Sequence, residues 1–287
     1  MILVFHQLLP ILALIFISFN FPRCSNSIEV NFNCTQLDRS RKLRAFVLSG
    51  RGLDERYNSA KNVLVKLGFN VGRYEPPGLE DPRWPELYNK ITEGLTTGGV
   101  GTYQGRRAFR KKAFLLSQAW IEMVESAFSF TLRHENHWKK EWLNDYTFFF
   151  EDDIAVHPSV QDPYCAIISS IEINPSSGVL YLGLENPTCQ EHTVINGLTY
   201  GKGCTGPGVH AVGLRNSIAA PLIAAVRVLQ GPFNIDDAFV KYSEVFSQSF
   251  WLAGSNLAEA TYKGLFYQDR KKFQTTKPIT NGTDTRQ

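Results

Sequence analysis

LRAFVLSGRGLDERYNSAKNVLVKLGFNVGRYE, residues 43–75, is the stretch that decides the fold. Leu43 to Leu48 is a short apolar run and reads as a buried strand. Ser49-Gly50-Arg51-Gly52 marks a turn. Asp54 is placed to cap a helix in which Val63, Leu64 and Leu67 recur at helical spacing, and Gly68 ends it. Phe69 to Glu75 then reads as a second strand. Strand, helix and strand in this order form a unit whose two strands run parallel, joined by a crossover helix.

The same alternation continues along the chain. DYTFFFEDD (145–153) carries a continuous apolar run, which predicts a strand buried on both faces, as in the middle of a parallel sheet. GVLYLGL (178–184), GVHAVGL (208–214) and SQSFWLAG (247–254) read as further strands. Helices are expected over 106–131, over 159–171, in RNSIAAPLIAAVRVL (215–229) with an interruption at Pro221, and in NIDDAFVKYSEVF (234–246). Residues 76–105, rich in Gly, Pro and Thr, read as a long loop with one short helix, and QEHTVINGLTYGKG (190–203) as another loop. Arg106, Arg107, Arg110, Lys111 and Lys112 open the 106–131 helix as a solvated face or as a face toward a phosphate-bearing ligand. Ala113, Leu116, Trp120 and Val124 form its apolar stripe. The expectation is an α/β domain over 40–270, with a Rossmann-like, mostly parallel central sheet flanked by helices, and a polar tail over 271–287.

Composition places limits on the function. The 287 residues are 43% hydrophobic and 20% charged, as in an ordinary globular protein. The net charge of +3 argues neither for a nucleic acid nor for a strongly acidic partner, and no nucleic-acid partner is expected. MILVFHQLLPILALIFISFNF (1–21) is apolar over roughly the length that crosses a bilayer, with no Lys or Arg before it. Residues 1–25 therefore read as a signal peptide or a signal anchor, the second giving membrane attachment. Asn33-Cys34-Thr35 and Asn281-Gly282-Thr283 are glycosylation sequons, at Asn33 and Asn281. Five cysteines are present, and Cys24 lies in the cleavage region. A disulfide between Cys189 and Cys204, closing the loop they bracket, fits an oxidising lumen; buried free thiols are the alternative. Together these features point to the secretory pathway lumen or to secretion.

The chemistry concentrates in Glu151, Asp152 and Asp153, which follow three phenylalanines. Adjacent carboxylates repel, and near an apolar edge they are costly to desolvate, so they sit in water or something positive holds them. Strand alternation puts Glu151 and Asp153 on one face and turns Asp152 away. At the carboxyl end of a strand in an open sheet, where ligands bind, two carboxylates suit Mg²⁺ or Mn²⁺ together with the phosphates of a nucleotide sugar. The bland alternative is a solvated acidic turn.

Several segments in order resemble glycosyltransferase family 25, the group of lipopolysaccharide glycosyltransferases and procollagen galactosyltransferases. AFVLSGRGLDERYNSAKNVLVKLGFNV is similar to the family's opening strand, Arg-containing loop and helix. FFFEDDIAVHP resembles its strand ending in Glu-Asp-Asp. GPGVHAVGLRNSIAAPLIAAV resembles a later strand and helix, and FNIDDAF its Pro-x-Asp segment. The resemblance spans most of 43–240. It implies a GT-A fold, a Mn²⁺ or Mg²⁺ cofactor, a UDP-sugar donor such as UDP-galactose, and inverting transfer to a hydroxyl of a glycan or protein acceptor. Carried over by position, Asp153 is a metal ligand, with Glu151 or Asp152 assisting through metal, ribose or water. His210, on a strand expected near the same rim, is a further candidate ligand; a packed or hydrogen-bonded histidine is the alternative. Arg51, Arg56, Glu151 and Asp152 are donor-binding, and Asp236, with Asp237 as its rival, is the catalytic base. The N-cap of the helix that follows is the alternative role for Asp236. The chain departs from the family on the acceptor side. KAFLLSQAW (112–120) lacks the family's Ser-His element, Asn234 stands where proline is usual, and Val212 where tyrosine is usual. A non-catalytic lumenal protein that keeps the fold and binds a glycan or partner is the alternative function.

Overall fold

Among the described residues the strands are β1 (Leu43–Leu48), β2 (Phe69–Tyr74), β3 (Tyr146–Glu151), β4 (Ile154–Val156), β5 (Val179–Gly183), β6 (Glu191–Ile195), β7 (Leu198–Lys202), β8 (Ala211–Arg215), β9 (Phe250–Ser255) and β10 (Phe266–Gln268). Eight of these form one sheet in the order β2-β1-β3-β8-β5-β9-β7-β6, and the other two form a small second sheet, β10-β4. In this computed structural model the described residues are 35, 37, 43–77, 81–83, 116–128, 145–174, 177–185, 187–195, 197–206, 208–229, 239, 242, 250–255 and 264–273. Of the two units into which the chain divides, Met1–Phe32 lies outside the described residues and Asn33–Gln287 carries all the described elements.

The opening unit forms as the residues dictate. β1 (Leu43–Leu48) and β2 (Phe69–Tyr74) pair in parallel, with α1 (Asp54–Lys66) between them in the chain. Asp54 is the first helical residue rather than the cap. Leu53 holds the cap position without a side-chain bond, and Asp54 pairs instead with Arg73 at the end of β2. β3 (Tyr146–Glu151) lies parallel on the other side of β1. Phe148, Phe149 and Phe150 are each fully buried, so the apolar run covers both faces as expected. On one face Phe69 meets Phe148 and Phe150 edge-on at 5.3 and 5.5 Å, while Phe149 stacks near Phe46 on the other. The helical residues 116–128, α2, lie close to this region. Arg44 Nη2 donates to the Ala127 carbonyl at 3.2 Å, and Trp120 is 2% exposed. The basic start of that helix, 106–112, and most of the expected loop before it lie outside the described residues.

The sheet is mixed. β1–β2, β1–β3 and β5–β9 are parallel, whereas β3–β8, β5–β8, β7–β9 and β6–β7 are antiparallel. β8 (Ala211–Arg215) runs against both its neighbours, β3 and β5 (Val179–Gly183). A buried strand is apolar whichever way it points, so the pattern that located β8 did not give its direction. α3 (Pro163–Ile173) precedes β5 in the chain. The Asp162 side chain caps it by accepting from Cys165 N at 3.0 Å, and Pro163 fills the first position. α4 (Asn216–Leu229) follows β8 and runs through Pro221 without a break, forgoing the one hydrogen bond that a proline nitrogen cannot donate.

The segment between the cysteines is a hairpin, not a loop. β6 (Glu191–Ile195) and β7 (Leu198–Lys202) pair antiparallel with Ile195 opposite Leu198, and Gly197 lies in the tight turn between them. Gly197 takes φ 77°, which such a tight turn requires. Cys189 and Cys204 are joined at the base of this hairpin, and the bridge fits an oxidising environment. β9 (Phe250–Ser255) connects the hairpin to β5. Among the described residues no helix is long and apolar enough to cross a membrane, and the apolar residues 1–21 lie outside them.

Candidate functional site

β1 and β3 are parallel neighbours with Leu48 opposite Glu151, so the loop after β1 and the turn after β3 leave the same rim of the sheet. Glu151 is the last residue of β3. Asp152 and Asp153 form the turn into β4 (Ile154–Val156), which leaves the main sheet to pair with β10 (Phe266–Gln268). Strand alternation therefore applies to Glu151 and stops there.

Arg56, on the first turns of α1, reaches this rim. Its Nη2 lies 2.5 Å from Asp152 Oδ1 and 3.3 Å from Asp153 Oδ2. Two carboxylates thus converge on one positively charged nitrogen. Asp152 is 5% exposed. Burial pushes its carboxyl above the usual carboxylate range, and the Asp153 charge adds to this. The Arg56 guanidinium and a hydrogen bond with Ser49 pull it back.

Glu151 is held differently. Gln268 Nε2 donates to Glu151 Oε2 at 2.5 Å, and lies 3.4 Å from Asp153 Oδ1. Trp120 Nε1 donates to Glu151 Oε1 at 3.4 Å. Gln268 thus bridges Glu151 and Asp153. Asp152 is not turned away as strand alternation predicts: the chain has already left the strand, and Asp152 and Asp153 meet on the same Arg56 nitrogen. The backbone adds further ties: Glu151 N donates to the His210 carbonyl at 3.0 Å, and Asp269 N to the Asp153 carbonyl at 2.6 Å. The short helix α5 (Arg270–Phe273) closes the same side. The Phe273 ring lies 5.4 Å from the Arg56 guanidinium carbon and is buried. Residues 271–273, read from the sequence as the start of the polar tail, therefore belong to the folded unit.

The other sequence-derived candidates are placed as follows. Arg51 is exposed in the turn between β1 and α1. His210 is buried just before β8, with Nδ1 2.8 Å from the Gly208 carbonyl and Nε2 2.9 Å from the Phe266 carbonyl. Both ring nitrogens face backbone oxygens, so it is the main chain of His210, not its ring, that meets the acidic strand end. Gly183 makes room for this ring, since a Cβ there would sit 2.3 Å from Nε2. Asp236, Asp237, Asn33 and Asn281 lie outside the described residues.

Gln268, Phe273 and Ser49 were not singled out in the sequence. Nothing local marks Gln268 or Phe273, because what brings them here is a pairing between β4 and β10. Trp120 was read as core, which it is, but its indole N–H also orients Glu151.

The donor set is all carboxylate oxygen around one cationic point, which suits a hard divalent ion. Among the described residues no three His, Cys, Asp or Glu side chains form a ready-made cage. Mg²⁺-type sites, however, use one or two carboxylates and complete the shell with water and phosphate. Asp152 and Asp153 fit that smaller requirement. No protein-family model matches the chain, and no curated protein matches it significantly.

Proposed function

We propose that the protein is a metal-dependent glycosyltransferase of GT-A type, working in the secretory pathway lumen or outside the cell. It would transfer a hexose from a UDP-sugar to a glycan or protein hydroxyl with inversion. One observation carries this reading: Asp152 and Asp153 converge on a single positive centre at the carboxyl-end rim, beside Arg56. The resemblance to glycosyltransferase family 25 over 43–240 supplies the substrate class. The Cys189–Cys204 bridge supports the compartment.

In this reading Asp153 and Asp152 would hold Mn²⁺ or Mg²⁺, with Glu151 kept in orientation by Trp120 and Gln268. A cation held there would offset the negative charge of the diphosphate. The chain's own residues do the rest. Arg56 lies within reach of the diphosphate as a second cationic group. Asp236 accepts the acceptor's hydroxyl proton. The hydroxyl oxygen forms a bond to the anomeric carbon from the face opposite the diphosphate. The bond from that carbon to the phosphate oxygen breaks, and UDP leaves with the electron pair.

The test is calorimetric titration of UDP into the purified lumenal domain, with and without Mn²⁺. We expect binding that needs the metal, and its loss in Asp153→Asn while the melting temperature stays close to wild type. Unchanged Mn²⁺-dependent affinity in that variant would remove Asp153 from the site. A specific observation favours a second reading, the non-catalytic binding protein: the carboxylates already have Arg56 and Gln268 as partners without a cation. Absence of UDP binding under both conditions selects it.

A further inference from the structure

Arg56 is bound unevenly. Its Nη2 serves both Asp152 and Asp153, while its buried Nε has no hydrogen-bond partner. A guanidinium carries five donors in a fork that fits two oxygens side by side. Here one nitrogen carries both ion pairs, and a buried donor left unmade is costly. The opposing charges are no better matched, since two carboxylates share one positive charge and repel each other. Each partner would be better satisfied elsewhere: the carboxylates by a divalent ion, the guanidinium by the paired oxygens of a diphosphate.

A strap from the end of the described chain holds this arrangement in place. Phe273 lies against the guanidinium, and Lys272 Nζ donates to Ser59 Oγ on α1 at 2.8 Å. Arg270 pairs with Glu185 and donates to Gln268 Oε1, whose amide in turn holds Glu151. The strap therefore touches both the helix that carries Arg56 and the carboxylates that it neutralises.

We propose that Arg56 is a resident counter-ion occupying the seat of the divalent cation, and that it exchanges its carboxylates for the donor's diphosphate when cation and nucleotide bind together. This rests on the donor-site reading above. The exchange makes the two ligands depend on each other. A cation alone must break the Arg56 ion pairs without offering the guanidinium a new partner. A cation that arrives with a diphosphate supplies one. Binding of either ligand therefore strengthens binding of the other, by the same factor in both directions.

The experiment measures Mn²⁺ binding alone, UDP binding alone and the two together by calorimetry, with melting temperatures in EDTA and in Mn²⁺. In wild type we expect weak binding of Mn²⁺ alone and an affinity gain of about tenfold or more when UDP is present. Arg56→Ala should bind Mn²⁺ alone about tenfold more tightly than wild type. It should also lose the coupling to UDP, melt lower in EDTA, and recover in Mn²⁺. Arg56→Lys keeps a positive charge should the alanine variant fail to fold, and its Mn²⁺ affinity should fall between the two. Mn²⁺ affinity that is unchanged or weaker in both variants, in a protein whose wild type binds Mn²⁺ and UDP, overturns the exchange and leaves the donor site standing. Failure of wild type and both variants to bind Mn²⁺ even with UDP overturns the donor-site reading, and the exchange with it.

Discussion

At one end of the sheet β2, β1 and β3 run parallel, enclose Phe148–Phe150 and finish in three carboxylates. At the other end β7 and β6 form an antiparallel hairpin whose outer strand is largely exposed and whose base is bridged by Cys189–Cys204. The first end is held by packing, and it places its charge at the rim, where Asp152 and Asp153 are buried against Arg56. The second has little core of its own and is held by a covalent staple. Stability and chemistry are thus separated in the molecule. At the parallel end Asp152 and Asp153 share the single charge of Arg56, while at the hairpin end Glu191 pairs with Lys202 at the surface.

The largest expected effect comes from attacking the packed end. Phe148→Ala removes a ring that meets Phe69 and Tyr146, and should cost about 3–5 kcal/mol in denaturant unfolding. A loss under about 1 kcal/mol would mean that the aromatic strand does not carry this end. Next is the staple. Replacing Cys189 and Cys204 together by Ala opens a bridge between residues 15 apart, and should cost about 3 kcal/mol. The comparison predicts that Mn²⁺-dependent UDP affinity survives this change. Loss of that affinity would show the two ends to be coupled.

The smallest effect is the most informative about the acidic turn. Burial raises the Asp152 carboxyl in the folded state, so the fold holds its proton more tightly than the unfolded chain does. The stability linked to this group is then fully present below the unfolded carboxylate value, near ~3.9, and is lost as pH rises through the folded value. Asp152→Asn mimics the protonated state. Without divalent cation it should match or exceed wild type in stability at pH 7, and change less between pH 4 and pH 7. A clearly less stable variant at pH 7 would mean that the pairing with Arg56 outweighs the burial of the charge.

How much of this was legible depends on how local each signal is. β1, β2 and β3 could be read closely because an apolar run and its punctuation lie within a few residues. The turn at Gly197 was equally local, yet the polar, Gly-rich composition around it suggested a loop; the alternation of its flanking residues was the better guide. The reversed direction of β8 was not legible, since hydrophobic pattern is blind to strand polarity. Within the site, the three carboxylates stood out as a charged end to an apolar strand. Arg56 became a candidate only through the family resemblance, and its partners came from the structure. Gln268 and Phe273 had no sequence signal at all, because they act more than a hundred positions away from Glu151 and Asp153.

That distance has a consequence for synthesis. β4 follows the acidic turn immediately, yet its partner β10 ends at Gln268. A growing chain that has completed β1, α1, β2 and β3 still carries Glu151 and Asp153 without the amide that joins them. Whatever order the other elements follow, this corner is among the last to be finished. A chain released before Phe273 would have the sheet strands but an unlatched, acid-rich rim, a surface on which a chaperone could tell an unfinished copy from a finished one.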